Sequence, residues 1–209
     1  DEQVHWVLKE FDKSKVIVRG IQRLGIDGVK LDIVGKAGIA FPQIEKQICA
    51  DINFLVDDLK PKKLLFSDMD STIIKVECID EIADFLGLRA EVQNITAKSM
   101  RGEINFSDAL KERVSLLKGL TVPDLYNCFE SRIEISKGAK TLVNTMKNLG
   151  SKAFLISGGF TFFSERISCL LGFDSSFANE LIIEGNTLTG ELKEPILGRK
   201  SKRSILLKL

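Results

Sequence analysis

Histidine is nearly missing. His5 is the only one in 209 residues and lies far from the acidic motif described below, so imidazole is not expected to carry the chemistry, and His5 reads as a surface or packing residue. Charge of one sign is also lacking: 30 basic against 29 acidic residues leave a net charge of +1. Such a balance supplies no global field to gather nucleic acid or a membrane surface, and neither is expected as a partner. No apolar run approaches the ~18 residues of a membrane span, and no signal-peptide pattern opens the chain. Cys49, Cys78, Cys128 and Cys169 are widely spaced with no CxxC pair, which argues against a zinc or disulfide framework and reads as reduced core thiols. A cytoplasmic location is the expectation. Internal repeats and low-complexity tracts are absent from the sequence.

What remains is 44% hydrophobic and 28% charged, a globular mixture long enough for one large or two small domains. Residues 1–60 predict strand, helix, two strands, helix, strand: VHWVL, KVIVRGIQRLG, VKLDIV, GIAF, PQIEKQICAD and INFLV. KPKK at 60–63 predicts a linker to a second domain, 61–209. From Leu64 onward strand and helix alternate, which predicts an α/β fold with a mostly parallel sheet. KLLFSD is its first strand and KAFLI its second; CIDEIADFLG and SKGAKTLVNTMKNLG are helices with one apolar stripe each, and TFFSERISCLLG is another helix. Between them, about 78–135, lies a helical insertion whose clearest helix is SDALKERVSLLKG, with Ser107 available as N-cap. ELIIEGNTLTGEL predicts a hairpin turning at Gly185 and Asn186.

The first strand runs straight into DMDST. Ligands bind beyond the carboxyl ends of parallel strands, so Asp68 and Asp70 would stand in that crevice. Two carboxylates this close repel unless a cation lies between them, and a hard, oxygen-ligated ion such as Mg²⁺ suits them. One carboxylate can then act as a nucleophile towards phosphorus and the other can shuttle a proton. A DxD pair alone also occurs as a helix cap or a solvated turn.

The order of an apolar strand, DMDST, a second strand ending in SGG at 157–159 and a lysine beyond a hairpin resembles the haloacid dehalogenase phosphatases. ECIDEIADFLG, ITAKSMRGEINFSDALKERVSLLKGL and LISGGFTFF look like bacterial phosphoserine phosphatases over about residues 60–209. Residues 1–60 resemble, more weakly, an ACT-like α+β region. The resemblance implies a Rossmann-like core with an inserted small helical cap, and hydrolysis of O-phosphoserine through an aspartyl-phosphate in the last step of serine biosynthesis. It implies Asp68 as nucleophile, Asp70 as acid and base, and Lys202 as the cation between nucleophile and phosphate, with Lys200 the competing lysine. Mg²⁺ would be held by Asp68 and the Asp70 main-chain carbonyl. Ser157 and Gly158, at the start of the TFFSERISCLL helix, would hold phosphate oxygens, and Gly159 would permit close backbone approach. Glu77 would take the substrate ammonium, Met100 and Phe106 would close the pocket, and a homodimer is an allowed assembly.

Arg113 has an argument of its own. Leu110, Val114 and Leu117 form an apolar helical stripe that contains it, and a guanidinium there calls for a partner such as a substrate carboxylate, or else snorkels at the stripe's edge. GRKSKRS around Lys202 also reads as a solvated basic run. The chain begins at Asp1 and stops inside the amphipathic SKRSILLKL, before the family's fourth motif, a glycine- and aspartate-rich loop. The expectation is therefore a piece of a longer protein, the alternatives being a noncatalytic amino-acid-binding or assembly protein with a degenerate core, or a related small-molecule phosphatase or phosphotransferase.

Overall fold

The computed structural model describes residues 2–25, 28–35, 41–55 and 62–209. The chain divides into two compact units, Asp1–Leu59 and Lys60–Leu209.

In the first unit α1 (Glu2–Lys13) is followed by the antiparallel pair β1 (Ile17–Leu24) and β2 (Gly28–Val34), and then by α2 (Phe41–Gln47). VHWVL is thus helical, not a strand. Over a window longer than five residues its apolar positions fall at helical spacing, and Val7 and Phe11 are buried one turn apart. KVIVRGIQRLG is strand, not helix: its β-branched Val16, Ile17, Val18 and Ile21 fit a pleated surface, and Ile17 pairs with Val34. VKLDIV lies in β2 and PQIEK in α2. INFL takes no regular form; its Val56 and most of GIAF lie outside the described residues, as do Lys60 and Pro61 of the expected linker.

The second unit is built on a parallel three-stranded sheet in the order β3 (Leu64–Ser67), β4 (Lys152–Phe160), β5 (Ser175–Asn179). Between β3 and β4 run α3 (Cys78–Phe85), α4 (Arg89–Met100), α5 (Phe106–Ser115), α6 (Val122–Arg132) and α7 (Ala139–Asn148). After β4 come α8 (Thr161–Leu171), β5, the antiparallel hairpin β6 (Leu181–Glu184) and β7 (Thr187–Leu192), and α9 (Arg199–Leu206). One core unites Met69, Ile82, Leu155, Phe160, Phe163 and Ile167.

Local signals place these elements. In α3, Ile79, Ile82 and Ala83 are buried on one face and Gly87, at φ +71°, ends the run. Thr121 and Asp124 close a reciprocal capping box on α6. The cap of α5 is Asn105, which accepts from the Asp108 amide at 3.0 Å, so the helix starts before Ser107. The hairpin turns at Gly185 and Asn186 as expected, with Glu184 opposite Thr187. The cysteine expectation divides: Cys78 and Cys128 are buried, Cys49 and Cys169 exposed.

Backbone hydrogen bonds tie the inserted helices α3–α6 to the core at their base and at the α5–α6 turn. Their ends are zipped together by an antiparallel bridge between Ile74 and Ile135, flanked by Lys75 N–H to Glu134 O and Ser136 N–H to Ile73 O, both 2.9 Å. The α5–α6 turn is laced to the β6–β7 hairpin by Gly119 N–H to Leu188 O, Leu188 N–H to Leu120 O and Val122 N–H to Asn186 O. Beside that lacing the Arg166 guanidinium of α8 lies 3.6 Å from the Phe162 ring centre and 4.4 Å from that of Tyr126 in α6.

Candidate active site

β3 ends at Ser67, so Asp68 and Asp70 emerge at the carboxyl edge of the sheet, next to the last residues of β4. Asp68 Oδ1 accepts from the Met69 amide at 2.9 Å, and its Oδ2 is 2.5 Å from Lys202 Nζ. The first turn of α9 delivers that lysine. Lys200, the competing lysine, is exposed. The carboxylate and the ammonium sit in a partly solvated notch, where each neutralises the other without full desolvation.

Asp70 is held at both oxygens. Oδ1 accepts from the Cys78 amide at 2.8 Å, the first N–H of α3, and Oδ2 accepts from Ser157 Oγ at 2.7 Å. The carboxylate therefore serves as cap for α3 and as anchor for the β4 end. Ser157 Oγ in turn accepts from the Gly159 amide at 2.8 Å. A Cβ on Gly159 would lie 2.7 Å from Asp70 Oδ2, so only glycine lets the strand pass this close. Ser157 and Gly158 belong to β4 and precede α8, which begins at Thr161; they are not in the helix's first turn.

On the inserted helices Glu77 precedes α3 and Arg113 lies near the end of α5. Ser71, at φ +52°, turns its hydroxyl onto Glu77 Oε1 at 2.7 Å. Loss of hydration lifts the Glu77 carboxyl above its ordinary range; the Ser71 hydrogen bond opposes this, while Asp70, Asp80 and Asp68 add to it. Arg113 is half-buried between buried Leu110, Val114 and Leu117. Its Nε donates to Ala109 O at 3.2 Å and Nη1 to Thr96 Oγ1 at 3.4 Å. Burial lowers its proton affinity, offset by the fields of Asp80 and then Glu77. Phe106 covers Gly158 and Gly198: a Cβ on either would meet its ring at 3.3 and 3.2 Å. Met100, at the end of α4, is 84% exposed and is not drawn in with the others. His5 is exposed on α1, in the other unit.

Among the described residues no three His, Cys, Asp or Glu side chains cluster as metal ligands. The donors present, the Asp68 carboxylate and the Asp70 main-chain carbonyl, are hard oxygens. They suit Mg²⁺, which is commonly bound by one or two carboxylates plus water and substrate phosphate.

The model of the haloacid dehalogenase-like hydrolases matches residues 65–207. The chain belongs to that family. It is 46% identical to the phosphoserine phosphatase of Archaeoglobus fulgidus over 147 residues, covering 70% of the chain but 42% of that protein, less than half of its length. With the phosphoserine phosphatase of Saccharomyces cerevisiae it shares 31% identity over all of the chain and 72% of the relative. A solved structure described as a phospho-aspartyl intermediate analogue of phosphoserine phosphatase superposes with a TM-score of 0.65 at 40% identity, covering 71% of each chain. The fold is accordingly the α/β architecture expected from the strand and helix alternation, and the Rossmann-like core that the resemblance implied.

Three polar residues of the candidate site escaped the sequence reading. Ser71 and Thr96 orient Glu77 and Arg113, and Asn179, at the end of β5, bonds to the backbones of Gly158 and Leu197. A signal for Asn179 existed in principle, since it ends a parallel strand at the same edge as Asp68; β5 itself had not been recognised.

Proposed function

We propose that the protein hydrolyses O-phospho-L-serine to L-serine and phosphate. An Asp68 carboxylate oxygen attacks phosphorus and the bond from phosphorus to the serine oxygen breaks, leaving a phosphoryl group on Asp68. A proton from Asp70 goes to the departing alkoxide. Water then attacks the same phosphorus, gives its proton to Asp70, and the Asp68 carboxylate leaves, releasing phosphate. Such acid and base help is typically worth ~10²–10⁴-fold.

The observation that carries this reading is the Lys202 ammonium 2.5 Å from Asp68, beside an Asp70 carboxylate that accepts a hydrogen bond from the Ser157 hydroxyl. Lys202 holds the nucleophile in place and offsets the charge of an approaching phosphate. When phosphate arrives, Ser157 Oγ turns from Asp70 to a phosphoryl oxygen, which frees the Asp70 oxygen for its proton transfer. Mg²⁺, held by Asp68 and the Asp70 main-chain carbonyl, would supply further charge neutralisation at the phosphate. Arg113 receives the substrate carboxylate and Glu77 its ammonium, a pair that suits an amino-acid phosphate better than a sugar phosphate. Phe106 walls the phosphate end of the pocket, and Met100 would act only after moving inward.

Residues 1–60 are read as an ACT-like domain, which the mixed helix and hairpin content supports. Residues 61–209 are read as the phosphatase domain, with the cap at about 78–135. The last step of serine biosynthesis in the cytoplasm is the matching cellular setting. The test of the reaction is phosphate release from phosphoserine with Mg²⁺, followed by borohydride trapping during turnover. Homoserine at position 68 is expected. Turnover without any product at Asp68 would refute the assignment of the nucleophile.

A further inference from the structure

Asn179 takes no part in the steps above, yet it is 2% exposed and fully engaged. Its Nδ2 donates to Gly158 O at 2.8 Å and to Leu197 O at 3.2 Å, while Oδ1 accepts from the Leu197 amide at 2.6 Å. Two carbonyls facing one end and an N–H facing the other are satisfied by a single orientation of the amide. The two backbones so joined are those that matter for phosphate. Gly158 lies in the Ser157–Gly159 stretch, and Leu197 leads through Gly198 into α9, whose Lys202 reaches Asp68. Phe106 rests on Gly158 and Gly198, so the clamp also fixes the floor under that ring.

We propose that Asn179 is a positioning residue that fixes the spacing between the phosphate-holding end of β4 and Lys202. The inference rests on reading those two groups as the phosphate site. An aliphatic side chain would leave the Gly158 carbonyl and both Leu197 groups without these partners, and the β4 end and α9 would separate. A displacement of that kind, on the order of 1 Å, commonly costs ~10²-fold in rate.

The test is a double-mutant cycle in the full protein with Mg²⁺: Asn179→Ala, Lys202→Ala, and both together. The readouts are inorganic phosphate affinity by calorimetry and kcat/KM for phosphoserine and p-nitrophenyl phosphate. Asn179→Ala is expected to weaken phosphate binding and to lower kcat/KM for both substrates by about 10²-fold. In the Lys202→Ala background the same change should cost less than about tenfold, because no lysine remains to be misplaced. Equal losses in both backgrounds would overturn the proposal and leave Asn179 a residue of general stability. Should Asn179→Ala fail to fold, Asn179→Asp decides. Ionised, it aims an anion at two carbonyls; protonated, its single O–H restores one of the two donated hydrogen bonds, so its activity relative to the parent should recover in part as pH falls. A pH profile parallel to the parent's would sink the clamp. A parent protein that binds phosphate but hydrolyses neither ester refutes the proposed reaction, while the phosphate affinities still decide the clamp. A parent that binds no phosphate overturns both.

Discussion

Replacing Gly159 with alanine adds one methyl group at the tightest point of the site. The new Cβ would lie 2.7 Å from Asp70 Oδ2, 3.1 Å from Ser157 Oγ and 3.3 Å from Met69 Cε. Normal carbon–oxygen contact needs roughly half an ångström more than the shortest of these. Asp70 cannot retreat freely, since the Cys78 amide and the Ser157 hydroxyl hold its two oxygens. Met69 is fully buried, so its side chain can yield only by displacing its neighbours in the core. Overpacking of this kind costs about 1–3 kcal/mol. Giving up one hydrogen bond to a carboxylate adds about 1.5–3 kcal/mol. A loss near 3 kcal/mol corresponds to a fall in Tm of roughly 6–12 °C for a domain of this size. Urea titration gives the stability, and phosphoserine turnover below the lowered Tm gives the activity. Activity should drop even where the protein stays folded, because the pairing of Asp70 with Ser157 is what the methyl group breaks. A variant with parental urea midpoint and parental kcat would show that the approach of β4 to Asp70 is looser than the distances state, and the argument for glycine would fail.

Arg113→Ala should lower kcat/KM for phosphoserine by about 2–3 kcal/mol, the low end for a charge pair because the site is only half-buried. That is roughly 30- to 160-fold, with a much smaller loss on p-nitrophenyl phosphate; equal losses on both would remove Arg113 as the carboxylate partner. Asp68→Asn should abolish turnover and leave phosphoserine binding measurable by calorimetry, and a near-parental rate would exclude Asp68 as the nucleophile. Glu77 must be ionised to hold an ammonium, and its pKa is raised. The kcat/KM ratio of phosphoserine to p-nitrophenyl phosphate should therefore fall with falling pH, starting above the ordinary glutamate range. Glu77→Gln should flatten that limb; an unchanged limb would assign it to another group. Burial pushes the Cys78 thiol well up and Cys128 up to about 11, so iodoacetamide should label Cys49 and Cys169 alone in the folded protein, as read by peptide mass.

The strands and helices around Asp68, Asp70 and Ser157 were legible because each carries its own local pattern: an apolar run, a stripe at helical spacing, a glycine stop. The proximity of Lys202 to Asp68 follows from no local pattern and came only through the resemblance. β5 went unread because SSFAN has just Phe177 and Ala178 to mark it as apolar. In the first unit, windows of five residues could not separate a strand from one and a half turns of α1. Asn179 was unreadable for a different reason. Its partners are main-chain atoms of Gly158 and Leu197, and backbone groups are the same in every residue, so the contact leaves no trace in their side chains. Thr96 and Ser71 are likewise ordinary helix and turn residues until their hydroxyls are seen to meet Arg113 and Glu77.

The lacing of residues 119–122 to 186–188, with Arg166 stacked beside it, has a mechanical consequence. A plate fastened along one margin swings like a door. Its displacement vanishes at the jamb and is greatest at the opposite margin. Here the jamb is the α5–α6 turn, the bridged base at Ile74 and Ile135, the Cys78 amide on Asp70 and the Lys111–Glu194 ion pair, and the margin away from them is the α4–α5 turn, residues 101–105, with exposed Met100 on one side and Phe106 on the other. Phe106 is then the latch, shutting against Gly158 and Gly198. Arg113 sits two turns from that latch on the same helix, so under the proposed function a swing of that margin would carry the carboxylate-binding residue together with Phe106.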